Sequence, residues 1–194
     1  MRTLSAVEFL SLDGVMQSPG SPGEDPSGGF RHGGWGTPFF DPIMGEAAAS
    51  GMATTDAYLF GRITYDGMAA HWPNTPPDDP IGSHLNAAPK YVVSRGRPTL
   101  TWSGTTLIEG DPAEAVADLK AQDGGNICVL GSGELVRTLL SAGLVDELMV
   151  IIHPIVIGSG KRLFGTAESP FGMELVGSTT TTTKGSVILR YRPA

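Results

Sequence analysis

A glycine turn between a strand and a helix organises the second half of the chain. The stretch from Asn126 to Phe164 has the pattern of a strand, a glycine turn, a helix, a glycine stop and a second strand. A short apolar run predicts the strand Asn126–Leu130, and apolar residues at helical spacing predict a helix from Glu134 to Ala142. Because Gly131-Ser132-Gly133 opens that helix, unpaired N–H groups lie at the positive end of its dipole. Such a turn is suited to a phosphate.

Strands and helices alternate along the rest of the chain. Further strands are predicted at Leu4–Leu12, Asp56–Phe60, Lys90–Val93, Thr105–Ile108 and Val145–Ile157, and further helices at Asp41–Met52, from Gly61 onward and at Asp111–Gln122. Two closing strands, about Met173–Thr183 and Ser186–Arg192, would be joined by a hairpin turn at Lys184-Gly185. This order predicts one domain over residues 1–194, a three-layer α/β domain with a mixed sheet.

Two long loops rich in glycine and proline interrupt the alternation, at Gln17–Pro38 and His71–Ala88. The first contains the run Gly28–Gly36, which carries two aromatic residues. Loops of this length without structure of their own are usually functional or disordered, and the aromatic residues favour a functional role.

Composition excludes several classes of protein. The net charge of −7, with no basic stripe, argues against nucleic acid as a partner. The single cysteine, Cys128, excludes an internal disulfide framework and is expected to be a buried apolar residue. The four histidines lack the spacing of a metal site. We expect neither a signal peptide nor a membrane span, because the longest apolar run, Leu148–Ile157, is too short, and therefore a cytoplasmic protein.

Three strand ends carry residue types that bind phosphate. Gly61-Arg62-Ile63-Thr64 offers a glycine, a cation and a hydroxyl, Ser94-Arg95 offers a hydroxyl and a guanidinium, and Gly131-Ser132-Gly133 is the third turn. If these strands are parallel neighbours, the turns share one sheet edge, where a dinucleotide would fit. The pair Ser94-Arg95 favours a 2′-phosphate and hence NADPH. The Rossmann and Walker fingerprints are absent, so surface cations and ordinary turns remain the alternative.

These segments resemble the dihydrofolate-reductase-like superfamily, in the branch of the C-terminal reductase domain of the bifunctional riboflavin-biosynthesis deaminase/reductase. The resemblance covers nearly the whole chain in family order. It rests on Ser11-Leu12-Asp13-Gly14-Val15, Leu59–Tyr65, Val92–Arg95, Val129–Leu135, Ala142–Leu148 and Pro154–Gly160. The zinc-site cysteines of the deaminase half are absent, so a stand-alone member is expected.

The resemblance implies an NADPH-binding reductase, often a homodimer, with a mostly parallel central sheet flanked by helices and the antiparallel hairpin at its C-terminus. The adenine-side phosphates would lie at the Gly61 and Ser94 turns, the pyrophosphate at the Gly131 turn, and the nicotinamide beside the loop after the first strand. The implied cofactor-binding residues are Leu12, Gly14, Gly61, Arg62, Thr64, Ser94, Arg95, Gly131, Ser132, Gly133, Glu134 and Leu135.

The chemistry requires a hydride acceptor held against the nicotinamide and a nearby proton source. Asp13 and Asp41 are the catalytic candidates, with turn and helix-cap roles as their alternatives. Trp35, Phe39 and Phe40 are candidates for stacking on a flat substrate, with core packing as the alternative.

The function expected on this basis is reduction of a small pyrimidine- or pteridine-like substrate. It would resemble 5-amino-6-(5-phosphoribosylamino)uracil reductase or dihydrofolate reductase. An NADPH-binding regulatory module without turnover, and an enzyme that uses the glycine turns for a sugar phosphate, remain open.

Overall fold

Alternation of inward and outward side chains builds one large sheet. The computed structural model describes residues 1–165, 170–177 and 179–194. Its strands are β1 (Leu4–Ser11), β2 (Thr55–Gly61), β3 (Lys90–Val93), β4 (Thr105–Ile108), β5 (Asn126–Leu130), β6 (Glu147–His153), β7 (Met173–Leu175), β8 (Thr180–Thr181) and β9 (Val187–Pro193). Their spatial order is β4-β3-β2-β5-β1-β6-β9-β7, with β8 also paired to β9.

The first six strands are parallel, and the last three add antiparallel pairs. β1 pairs in parallel with both β5 and β6, and β2 with both β3 and β5. β9 runs antiparallel to β6, and β7 and β8 run antiparallel to β9. The mixed, mostly parallel sheet with an antiparallel C-terminal end is therefore confirmed. Since carboxyl ends of parallel strands share an edge, the segments after β1, β2, β3, β5 and β6 lie along one side of the sheet.

Five helices cover the two faces of the sheet. They are α1 (Pro42–Met52), α2 (Arg62–His71), α3 (Pro80–Ala87), α4 (Pro112–Ala121) and α5 (Gly133–Ser141). Val116 of α4 and Leu139 of α5 are buried with one face of β1, β2, β5 and β6. Tyr65 of α2 and Leu85 of α3 pack on the other face, as does Met44 of α1. The three-layer arrangement predicted from the sequence is thus confirmed.

The segment His71–Ala88 is not the continuous loop that the sequence predicted, because it contains α3. Asp79 caps this helix, since its carboxylate accepts a hydrogen bond from the N–H of Gly82 at 2.8 Å. Pro80 occupies the first helical position, where its missing N–H costs nothing. The same aspartate–proline pattern had predicted α1 and α4, so the missed signal was present in the sequence.

A buried lysine closes the other end of α3. The ammonium of Lys90, which is fully buried, donates hydrogen bonds to the carbonyls of Leu85 at 2.8 Å, Asn86 at 3.2 Å and Ala88 at 2.6 Å. It also lies 4.7 Å from the centre of the Trp102 ring, a cation–π contact. Lys90 therefore satisfies carbonyls that the end of a helix leaves without partners.

The C-terminal strands differ in length from the prediction. The predicted strand Met173–Thr183 corresponds to two short strands, β7 and β8, and Ser178 between them lies outside the described residues. The hairpin turn at Lys184-Gly185 is confirmed, because the N–H of Gly185 donates to the carbonyl of Thr182 at 3.1 Å. β6 is shorter than the predicted Val145–Ile157.

An apolar hollow lies against β1, β6 and β9. Its lining includes Leu10, Val150, Leu189 and Tyr191 of these strands together with Leu12 and Phe164, and its volume is about 330 Å³. The homodimer expected from the family resemblance stays a prediction. Within the described ranges, none of the helices is long and apolar enough to cross a membrane.

Candidate cofactor and substrate site

Of the five α-helices in the described part of the chain, two begin without a side-chain cap, and both begin at the predicted phosphate turns. The carboxylates of Asp41, Asp79 and Asp111 cap α1, α3 and α4. Among the described residues, no side chain caps α2, which starts after Gly61, or α5, which starts after Ser132. Their first-turn N–H groups are therefore available to a ligand, and the helix dipole favours an anion there.

A serine links these two helix starts. The hydroxyl of Ser132 accepts a hydrogen bond from the N–H of Gly61 at 2.7 Å. Ser132 and Gly131 both adopt left-handed conformations, with φ of 66° and 60°, which cost a serine more than a glycine. The strained serine thereby fixes the turn after β5 against the turn after β2. Thr64 is close by, since a Cβ built on Gly131 would lie 3.4 Å from its Cγ2 atom.

The third phosphate turn lies on the next strand along the same edge. Val93, the last residue of β3, is paired with Gly61, so Ser94 and Arg95 continue beside the start of α2. Arg95 is exposed, and within the described part of the chain its guanidinium has no carboxylate partner. Arg62, in contrast, donates through Nε to both oxygens of Asp66, at 2.8 and 2.7 Å. The structure therefore brings all three predicted turns together on adjacent strands.

The start of α5 is covered by the loop after β1. A Cβ added to Gly133 would fall 1.9 Å from the sulfur of Met16, so Met16 packs directly on the backbone of this glycine. Glu134 points outward and lies 3.5 Å from the ammonium of Lys161. Leu135 is buried in the core, so only its backbone can face a ligand.

Asp13 is held by hydrogen bonds on both carboxylate oxygens. Oδ1 accepts from the N–H of Ile157 at 3.0 Å and the hydroxyl of Ser11 at 2.7 Å, and Oδ2 accepts from the N–H of Gly158 at 2.9 Å and from Arg162 at 3.2 Å. The N–H of Ile157, followed by the hydroxyl of Ser11, holds the pKa of Asp13 well below its usual range. An ionised carboxylate of this kind accepts hydrogen bonds and has no proton to donate.

The turn after β1 is fixed by the same contacts. The N–H of Leu12 donates to the carbonyl of Ile155 at 2.7 Å, and the carbonyl of Gly14 accepts from the N–H of Leu163 at 3.2 Å. Asp13 therefore joins the loops after β1 and β6, which are adjacent strands. Its catalytic role stays a prediction, while its structural role is visible.

Both carboxylate oxygens of Asp41 also accept hydrogen bonds. Oδ1 accepts from the N–H of Met44 at 3.1 Å, and Oδ2 accepts from the N–H and the hydroxyl of Thr183, both at 2.7 Å. The predicted helix cap is confirmed. The second oxygen also joins α1 to the C-terminal hairpin, so a catalytic role for Asp41 would require these bonds to break.

The three predicted substrate aromatics surround a buried histidine that the sequence had not linked to them. The ring centres of Trp35, Phe39 and Phe40 lie 5.7, 5.3 and 6.2 Å from that of His153, and Phe9 stacks on it at 5.9 Å. Burial lowers the pKa of His153 to about 4, so its imidazole is neutral at pH 7.

One ring nitrogen of His153 is unused. Nδ1 lies 2.7 Å from the hydroxyl of Ser186, while Nε2 has no hydrogen-bond partner within the described ranges. We refer to Phe9, Trp35, Phe39, Phe40 and His153 as the aromatic cluster.

A second buried polar group, Glu8, lies at the same edge and was missed from the sequence. Its side chain is 3 % exposed, and its Oε1 atom has no partner among the residues described. Burial, with a smaller contribution from Glu24, raises the pKa of Glu8 to about 8, so the group is protonated at neutral pH. Because the N–H of Gly131 donates to the carbonyl of Val7 at 2.9 Å, Glu8 lies beside the turn that opens α5. Glu8 alternates with Leu4, Ala6 and Leu10 along β1, and this pattern could have indicated from the sequence that its side chain is buried.

Comparison with known proteins decides the family. The family model of the RibD C-terminal domain matches residues 2–187. The chain belongs to the RibD C-terminal domain family. It is 31% identical over 154 residues to the uncharacterised protein YyaP of Bacillus subtilis, a match that covers 78% of this chain and 80% of YyaP.

Solved structures with low sequence identity to this RibD C-terminal domain share its fold. A protein of Shewanella sp. PV-4, provisionally assigned to riboflavin biosynthesis, superposes with a TM-score of 0.70 at 21% identity, with 99% of each chain covered. Dihydrofolate reductase of Enterococcus faecalis, solved in complex with NADP(H) and RAB-propyl, superposes with a TM-score of 0.62 at 16% identity, covering 98% of this chain and 96% of that one. The reductase-like fold expected from the resemblance is confirmed. In the described part of the chain, no group of three or more histidine, cysteine, aspartate or glutamate residues is placed to hold a metal ion.

Proposed function

We propose that this RibD C-terminal domain is an NADPH-dependent reductase that transfers hydride to a small pyrimidine- or pteridine-like substrate. The observation that carries the proposal is the pair of uncapped helix starts, α2 and α5, joined through the hydroxyl of Ser132. Membership of the RibD C-terminal domain family supports it. So does the fold shared with a dihydrofolate reductase that was solved with NADP(H).

The three turns divide the recognition of a dinucleotide between them. The first-turn N–H groups of α5 would hold the pyrophosphate and those of α2 an adenine-side phosphate, because both helix dipoles favour negative charge there. Ser94 and Arg95 would hold a 2′-phosphate, for which a hydroxyl and an unpaired guanidinium are suited. The close packing of Met16 on Gly133 would then lie next to the nicotinamide end.

The bound cofactor supplies the hydride, and the protein supplies the geometry. Asp13 fixes the loop after β1 to the loop after β6, so that the substrate side of the edge has a rigid frame. The aromatic cluster around His153 offers flat apolar faces beside that frame. The proton that accompanies hydride must come from a group other than ionised Asp13. Glu8, which lies on β1 before Asp13 in the chain, is a neutral carboxyl group.

Replacing Arg95 by alanine should weaken NADPH binding by roughly 10- to 100-fold, the value of one or two charge-assisted hydrogen bonds. Binding of NADH, which lacks the 2′-phosphate, should change little. Isothermal titration with both cofactors measures the difference.

Arg97→Ala is the matched control for this variant. Arg97 is exposed on the same loop, but it is paired with Glu109 at 2.7 Å. Its replacement should leave both affinities close to those of the unmodified protein. Equal losses for NADPH and NADH in Arg95→Ala would contradict the proposed 2′-phosphate site.

A further inference from the structure

A cavity of about 480 Å³ opens between the long loop after β1 and the turn after β6. Its walls come from the segment Ser27–His32 on one side and Ser159–Lys161 on the other, with Gln17 between them. The loop is held in place by Gln17, whose amide donates to the carbonyls of Asp25 at 2.9 Å and Ser27 at 3.0 Å. The carbonyl oxygen of the same side chain accepts from the N–H of Lys161 at 3.0 Å, so one buried residue ties both walls together.

The cavity occupies the next position along the sheet edge after the proposed cofactor turns. Those turns follow β3, β2 and β5, which are successive neighbours, and β5 is followed by β1 and then β6. The cavity walls follow β1 and β6. Lys161 joins the two regions, since its ammonium lies 2.9 Å from Asp25 in the loop and 3.5 Å from Glu134 in the first turn of α5. A ligand that reacts with the nicotinamide end would extend into this space.

The lining of the cavity is cationic in an acidic chain. It contains Arg31 and Lys161, together with His32 and two serines, and the lining residues within the described ranges include no aspartate or glutamate, although the whole chain has a net charge of −7. Lys161 is balanced by its two carboxylates. Arg31 is exposed, and no carboxylate of the described ranges lies within 4.0 Å of its guanidinium. A free guanidinium beside hydroxyl groups recognises a carboxylate or a phosphate.

The cavity also has one apolar wall. Phe30 packs against the backbone of Gly160, where an added Cβ would fall 2.7 Å from the ring. The ring meets that of His32 edge-on at 5.6 Å between centres. The wall therefore suits the apolar part of a small molecule whose anionic end reaches Arg31.

We propose that this cavity binds the anionic group, a carboxylate or a phosphate, of the substrate, with Arg31 as the residue that selects for the charge. That the ligand is the substrate rests on the proposed reductase function. The cavity itself can be tested without the cofactor.

The test is an amide NMR titration of the full chain with acetate, with inorganic phosphate and with acetamide, the neutral counterpart of acetate. We expect saturable shifts at Gly28, Gly29, Arg31 and Ser159–Lys161 with at least one of the anions, and none with acetamide. The anion that binds more tightly identifies the group carried by the substrate. In Arg31→Gln the affinity should fall at least tenfold, the loss of one charge-assisted contact, whereas Arg192→Gln, an exposed arginine on β9, should behave as the unmodified protein does.

Absent shifts at the cavity, equal shifts with acetamide, or unchanged affinity in Arg31→Gln would each overturn the proposal. Phosphate bound at the helix starts is recognised separately, because it shifts the Gly61 and Gly131 turns. A protein that binds anions at the cavity but does not bind NADPH would refute the reductase function and leave the anion site standing. A protein that binds NADPH but does not bind anions at the cavity would refute only the anion site.

Discussion

Glu8→Gln should stabilise the protein at neutral pH by about 3 kcal/mol, because it removes a carboxyl group that folding must keep protonated. Burial raises the pKa of Glu8 from 4.5 to about 8 in the folded state. Below pH 4.5 the group is protonated in both states and costs nothing. As the pH rises from 4.5 towards 8, the unfolded chain releases the proton first, and stability falls by about 1.4 kcal/mol per pH unit. Above pH 8 the loss levels off.

The measurements are urea unfolding and thermal unfolding of both proteins at about pH 5 and pH 7.5. The advantage of Glu8→Gln should grow with pH, and near neutral pH its Tm should be higher by roughly 6 to 12 °C for a chain of this size. Glu46→Gln, which changes an exposed glutamate of α1, is the matched control and should show no such growth. A difference between Glu8→Gln and the unmodified protein that does not depend on pH would contradict the burial of a protonated Glu8.

The neutral state of Glu8 also bears on the proposed cofactor. Glu8 lies beside the Gly131 turn, where the pyrophosphate would bind. A protonated carboxyl there adds no negative charge to the site. An ionised one would oppose the helix dipole that attracts the phosphate.

Lys90→Met should destabilise the protein by about 3 kcal/mol, because it leaves three carbonyls at the end of α3 without their donor. Methionine preserves the length and most of the apolar volume of the lysine stem, so the loss reports mainly on the ammonium. The cation–π contact with Trp102 is lost as well. Thermal unfolding should show a Tm lower by roughly 6 to 12 °C.

Lys184→Met provides the comparison, since the ammonium of Lys184 donates to a single carbonyl, that of Pro38, at the protein surface. Its Tm should change by no more than about 2 °C. Similar stabilities for Lys90→Met and Lys184→Met would show that the buried ammonium contributes little to α3.

The strands and most helices could be predicted because their signals are local. Apolar runs bounded by glycine predicted β5 and α5, and an aspartate before a proline predicted α1 and α4. The same signal precedes α3 at Asp79-Pro80, but the other prolines and glycines of that segment favour a loop, and α3 was therefore not predicted.

The meeting of the three glycine and arginine turns at one sheet edge could also be anticipated, because each turn ends a strand of a predicted parallel sheet. The contacts of the candidate substrate residues could not. Besides the nearby Ser11, the partners of Asp13 are Ile157, Gly158 and Arg162, more than 140 residues away along the chain, and the loops that bring them together follow different strands. The packing of the aromatic residues around His153 depends in the same way on how α1 and the long loop fold over β1 and β6.

The account depends most on the claim that the three turns after β2, β3 and β5 form one NADPH site. The direct measurement is an amide NMR titration of the protein with NADPH and, in parallel, with NADH. We predict saturable one-to-one binding, tighter for NADPH, with shifts at Gly61–Thr64, Ser94–Arg95 and Gly131–Leu135 in the same titration. Binding without oxidation of the cofactor across pyrimidine and pteridine substrates would indicate a regulatory module that uses the same site. Equal affinity for the two cofactors, or shifts that leave these turns unchanged, would contradict the central claim.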